Sequence, residues 1–163
     1  MPRWIPWLLP LSLGCKADPR LDLVLNEFMA SNQETIPNEE GSYADWVELY
    51  NPADEDVSVA GLYMTDDLNE PTLHALGDIV VPAGGHLLLW ADEEPQISAW
   101  HLSFKLSKDG ERLALVYVDD DGNPSVIDGV EFGPQEPDVS WGRVPDGGAW
   151  QTLSVPSPGQ ENR

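Results

Sequence analysis

Five carboxylates raise the first chemical question: Glu27, Asp45, Glu48, Asp66 and Asp67. Glu27 stands in "LNEF", where the preceding alternation of leucines asks for an apolar side chain. Glu48 stands inside "DWVELYN", between apolar neighbours. A carboxylate buried on a strand must be hydrogen-bonded, paired or metal-bound. Hard oxygen ligands suit Ca²⁺ or Mg²⁺. Glu27, Asp45, Glu48 and Asp66 are therefore the candidate ligands of a divalent cation, Ca²⁺ being the cofactor to consider. The competing reading is structural: the same groups cap turns and accept backbone N–H bonds. "DDDGN" (119–123) is read as a β-turn, because its glycine follows the first aspartate by only three positions and strands flank it, unlike an EF-hand loop.

Other chemistry is harder to assemble. The histidines are His74, His86 and His101. None sits in a triad signature, and no G-x-S-x-G, CxxC, HExxH or GxxxxGKS is present. Each histidine is expected on a strand surface or edge. The expectation is a protein that is not an enzyme, with an unrecognised hydrolase built on a carboxylate pair as the weakest rival. Among Trp46, Trp90, Trp100, Trp141 and Trp150, most are expected in the core. Trp100, in "EEPQISAWHLS", is the candidate for exposed binding, for instance of a glycan.

The single cysteine lies in "LPLSLGCKAD", residues 9–18. Arg3 is the only charge before it, and Ile5 to Leu13 form an apolar stretch too short to span a bilayer. A basic start, an apolar middle and a small residue before a polar segment describe an export signal. "LSLGC" resembles a bacterial lipoprotein signal, although Ser12 and Leu13 stand where that pattern has Leu and a small residue. The resemblance implies a signal peptide over 1–14, lipidation of Cys15, and a tether over 15–20. The partner is then the membrane, reached through the lipid. Lys16, in place of an aspartate, favours the outer membrane; secretion is the alternative.

The chain holds 163 residues with a formal charge of −21, from 29 acids against 8 bases. Such a surface repels phosphate, so nucleic acid is not an expected partner, whereas cations or basic partners are attracted. Apolar residues make up 41%, enough for a packed core rather than disorder.

The elements that must position these residues follow from period-2 patterning. Leu21, Leu23 and Leu25 alternate with polar or smaller residues. "WVELYN" (46–51), "VSVAGLYMT" (57–65), "HLLLWA" (86–91), "HLSFKL" (101–106), "RLALVYV" (112–118), "SVIDGVEF" (125–132), "VSWGRV" (139–144) and "AWQTL" (149–153) continue the pattern. "PADED", "PAGG", "KDG", "DDDGN" and "PDGG" supply the turn residues between them. No segment holds helical spacing for three turns. The reading is all-β, an antiparallel sandwich or barrel. "NQETIPNEEGSYAD" (32–45) is the longest polar insertion and is read as a loop.

Taken in order, "VLNEFMASN", "ADWVELYNP", "VAGLYMTDD", "VPAGGHLLLWAD", "HLSFKLSKDGERLALVYVDDDG", "IDGVEFGPQEPDVSWGRVPDGGAWQTL" and "PSPGQEN" resemble a bacterial lamin-tail domain over roughly residues 21–162. The resemblance implies an immunoglobulin-like antiparallel β-sandwich without the coiled-coil rod of nuclear lamins. Its motif falls on Asn26, Glu27, Asp45, Trp46, Glu48, Asn51, Asp66 and Asp67, as positions of structural or ligand importance rather than catalysis. It also implies a place on an exported or surface protein. The expected function is a non-catalytic interaction module at the cell envelope, with an envelope or extracellular protein or a glycan as partner. A cation-dependent binding protein is the alternative.

Overall fold

Apolar side chains at every second position give each strand one dry face. The computed structural model, which describes residues 18–163, places twelve strands along that pattern. They are β1 (Val24–Met29), β2 (Asp45–Tyr50), β3 (Val57–Ser58), β4 (Leu62–Thr65), β5 (His74–Ala75) and β6 (Val80–Val81). β7 (His86–Ala91), β8 (His101–Leu102), β9 (Glu111–Val118), β10 (Pro124–Phe132), β11 (Ser140–Val144) and β12 (Ala149–Leu153) complete the set. The signal peptide and Cys15 lie outside the described residues. A short 3-10 turn, Pro19–Asp22, precedes β1, and no helix among the described residues is long and apolar enough to cross a membrane.

The strands form a six-stranded sheet in the order β12-β11-β1-β2-β7-β8, a four-stranded sheet β10-β9-β4-β5, and the small pair β3-β6. The larger sheet contributes Leu25, Phe28, Val47 and Leu49 to the interior, and the smaller one Leu62, Met64, Leu113 and Leu115. Each fully buried side chain of this kind stabilises the fold by about 1.5–3 kcal/mol relative to exposure. The architecture is an all-β antiparallel sandwich, one of the two forms that the spacing predicts, and it has the immunoglobulin-like character that the family resemblance implies.

Three details depart from the simple pattern. "VSVAGLYMT" is two strands in two different sheets. Gly61 separates them with a φ of +83°, and a Cβ there would meet Arg20 Nη1 at 2.9 Å. "HLSFKL" keeps only two residues of strand, and β8 runs parallel to β7 while every other pair is antiparallel. β5 and β6, of two residues each, are too short to leave any alternation in the sequence.

The larger sheet is also covered on its outer face. Met29, Trp46 and Trp90 are buried there against Ile36, Ala44 and Leu88. Ile36 and Ala44 belong to the long polar loop. Asn32 holds that loop down by donating through Nδ2 to the Ile36 and Ala44 carbonyls, each at 2.7 Å. Asp138 Oδ1 accepts from the backbone N–H of Gln33, Glu34 and Thr35 at 2.9–3.2 Å. A polar segment of this length is ordered because its backbone groups find these side-chain partners.

Candidate functional site

The site begins with one extra residue in β1. Between Leu25 and Glu27 the register with β2 shifts, so that Asn26 has no Cα partner and Glu27 stands opposite Glu48. A bulge of this kind reverses the alternation beyond it. Leu25 and Phe28 therefore both enter the core, while Glu27 moves to the outer face. This is why Glu27 occupies a position that leucine periodicity assigns to an apolar side chain. On β2, Glu48 shares the outer face with Trp46, two residues away. Two carboxylates are thus brought face to face, both with no exposed surface.

The chain's own tail closes over them. Glu27 Oε1 accepts from Ser140 Oγ at 2.5 Å and from the Ser157 N–H at 3.0 Å. Glu48 Oε2 accepts from the Gly159 N–H at 2.5 Å, and its Oε1 from Asn26 Nδ2 at 3.2 Å. Asp146, in the turn between β11 and β12, accepts through Oδ1 from Asn26 Nδ2 and the Asn162 N–H, each at 2.9 Å. Its Oδ2 lies 3.0 Å from His86 Nε2. Asn162 Nδ2 donates to the carbonyls of Asn26 and Arg143 at 3.2 and 3.1 Å. Gly142, paired with Glu27, leaves the room required: a Cβ there would come within 2.8 Å of Asn162 Nδ2 and 2.6 Å of Leu153 Cδ1.

Proton inventory agrees with the electrostatics. Asn162 Nδ2 faces two carbonyls, so its Oδ1 is the acceptor for Ser157 Oγ at 2.8 Å. Ser157 has one hydroxyl proton, and Glu27 Oε2 stands 3.0 Å from the same oxygen. A proton on Glu27 completes that chain of bonds. Burial pushes the Glu27 carboxyl above its ordinary value, with the Asp146 charge adding to the effect. Burial likewise pushes Glu48 up to about 8, helped by the charges of Glu27 and Asp146 and opposed by the Gly159 and Asn26 donors. Like charges opposite one another in a ladder are unfavourable, and protonation relieves them.

The other expected ligands are elsewhere, so the four carboxylates named for a cation are not brought to one place. Asp45 lies three residues from Glu48 on the same strand, and an odd spacing puts it on the opposite face. Its Oδ1 accepts the Asn32 N–H at 3.2 Å, and burial raises it to about 6. Asp66 follows β4 in the smaller sheet and is raised by burial and then by Asp67 and Glu70. Glu111 is raised by burial, and the charges of Asp66 and Asp45 contribute. Asp67 caps a turn, accepting the Asn69 N–H at 2.8 Å. Among the described residues, no three His, Cys, Asp or Glu side chains are grouped so as to hold a metal ion.

"DDDGN" is the β9–β10 hairpin turn, with Asp119 Oδ1 accepting from the N–H groups of Asp121 and Asn123 at 3.0 and 2.8 Å. Trp100 is 45% exposed, while Trp46 and Trp90 are buried. Trp141 and Trp150 stack at 5.9 Å against the core, with Arg143 over the Trp150 ring.

His74 and His101 lie on edge strands, as expected, while His86 lies on the inner strand β7 with little exposed surface. His101 is fully buried at its edge. Its Nδ1 lies 2.7 Å from Asp92 and its Nε2 2.9 Å from Glu39 of the long loop. Burial alone would lower its pKa, but the two carboxylates outweigh it and hold the imidazolium form.

Sequence reasoning named Asn26 through the family resemblance but not Ser140, Asp146, Ser157 or Asn162. These four stood only inside the longer stretches "IDGVEFGPQEPDVSWGRVPDGGAWQTL" and "PSPGQEN" quoted for that resemblance. Nothing local in a polar tail says which side chains it will cover.

Two facing sheets, closed on the outer side by a loop and a strapped tail, define an immunoglobulin-like β-sandwich in which the buried acids serve the fold. The model of the lamin tail domain matches residues 16–133, and the chain belongs to this family of immunoglobulin-like, non-enzymatic domains. β11 and β12 lie beyond the matched segment but stand in the same sheet as β1. No curated protein matches the chain.

Proposed function

We propose that the protein is a non-catalytic interaction module held at the bacterial cell envelope by lipid on Cys15. The observation that carries the non-catalytic reading is the use of the buried acids. Glu27, Glu48 and Asp146 accept bonds from the chain's own tail, from Asn26 and from Ser140. Groups so engaged are not free to activate water or a substrate. The outer surface is then what the protein offers to an envelope or extracellular protein, or to a glycan at Trp100. Export and anchoring are supported by "LSLGC" and the short apolar stretch before it. Several acyl chains on one cysteine anchor stably, whereas a single chain binds marginally.

Cell fractionation of Cys15→Ser tests the anchor. The variant is expected to leave the membrane pellet for the soluble fraction, and retention in the pellet sinks lipidation at Cys15. Saturable retention of solubilised envelope components on the immobilised protein tests the interaction role, which fails if nothing is retained above an albumin control.

A further inference from the structure

The smaller sheet carries exposed apolar side chains on its outer side. Leu68 is 43% exposed and Val126 53% exposed. They stand together as a ridge between two grooves on the outer side of β9 and β10. One groove, of about 210 Å³, has Ala114 and Gly129 in its lining. The other, of about 230 Å³, is lined by Pro71, Val116, Pro124 and Ser125 beside the same ridge. Gly129 pairs with Ala114, and a Cβ on Gly129 would stand 3.2 Å from the Leu113 carbonyl oxygen, 3.6 Å from Val126 Cγ1 and 3.7 Å from Ala114 Cβ, narrowing the first groove. Two exposed apolar side chains between grooves, on an otherwise acidic surface, offer a small apolar contact set in a negative surround.

Spacing and charge define the occupant. Ala114 and Val116 are two residues apart on β9, so the grooves repeat at about 6.8 Å, the distance between residues i and i+2 of an extended peptide. Backbone pairing is not the route. The grooves lie on the face of β9 and β10, which presents side chains rather than backbone groups, and Pro124 has no N–H to offer at its end of the edge strand. Recognition must go through side chains set in the grooves. Around them the charge is negative. Asp67 and Glu70 flank Leu68, and Asp120 and Asp121 form the hairpin tip next to Pro124. The one basic side chain lining the grooves, Arg112, is paired with Glu131 at 2.9 Å. A second copy of the chain would bring another −21 against this face.

We propose that the β9–β10 face binds an extended cationic protein segment, with apolar side chains at i and i+2 seated on either side of the Leu68–Val126 ridge and basic side chains directed to Asp120 and Asp121. This rests on the interaction-module reading and names its surface and its class of partner.

The test is amide chemical-shift mapping on the full-length protein. The probe is a seven-residue peptide with lysines at positions one and two, valines at four and six, and serines elsewhere. Saturable shifts are expected at Leu68, Ala114, Val126 and Gly129, weakened at least about tenfold in Leu68→Ser, in Val126→Ser and in the pair Asp120→Asn with Asp121→Asn. These positions are exposed, and unchanged amide shifts at the distant His101 confirm folding of each variant. The proposal is overturned by equal binding of the peptide with glutamates in place of the lysines, by shifts confined to other surfaces, by no shift at millimolar peptide, or by groove shifts that track protein concentration alone. If the groove variants still retain envelope components, this surface is wrong and the interaction-module reading stands.

Discussion

Glu48 shows how one side chain converts burial into a pH response. Its carboxyl is raised from 4.5 to about 8 in the fold, first by burial. The unfolded chain releases that proton near 4.5, so between the two values the native state binds more protons than the unfolded one. Stability from this group is therefore complete below about 4.5 and is lost as pH rises through about 8, with a slope of at most about 1.4 kcal/mol per pH unit. His101 acts in the same direction. Its folded pKa lies above the ordinary 6.5, so its contribution is present below 6.5 and is lost as pH rises through the folded value. Thermal melts between about pH 5 and pH 8 should show a falling midpoint in the native protein. Glu48→Gln should fall less steeply and keep the part due to His101. Parallel slopes for the two proteins would show that Glu48 does not titrate in this range.

Among the elements, the tail beyond β12 stabilises far more than its irregular backbone suggests. It supplies the Ser157, Gly159 and Asn162 N–H donors to three acids beneath it. Deleting residues 155–163 uncovers Glu27 and Glu48 and strands their acceptors. The truncated protein should lose about 3 kcal/mol or more in chemical denaturation, and the loss should grow on acidification because its uncovered carboxyls no longer gain from protonation in the fold. A loss below about 1 kcal/mol would mean that water replaces the tail without cost.

Sequence legibility divides along the same line. β2, β7 and β9 are readable because each keeps strict alternation or a continuous apolar run between turn residues. The bulge at Asn26 is not, since one inserted residue changes no composition but flips every side chain after it. Asp45 and Glu48 look like neighbours in the sequence and end on opposite faces for the same reason of parity. The enclosure of His101 depends on Asp92 and on Glu39, 62 positions away, and a contact at that range leaves no local pattern.

For the molecule as a whole, the acidic excess works against compactness. With 29 acids and 8 bases, self-repulsion is strong at low ionic strength. Raising ionic strength from about 0.01 M to about 0.5 M shortens the screening length from about 30 Å to about 4 Å. The unfolding midpoint should therefore rise with NaCl, and a fall would show that attractive pairs outweigh repulsion. The order of the larger sheet has a further result. β1 pairs on one side with β11, and Glu27 is sealed by Ser157, 130 positions downstream. As a nascent polypeptide leaves the ribosome, its first strand has no neighbour on that side until β11, more than a hundred positions downstream, emerges. The sheet closes only after β11 has been made, and pairing between segments so far apart in sequence makes that closure slow.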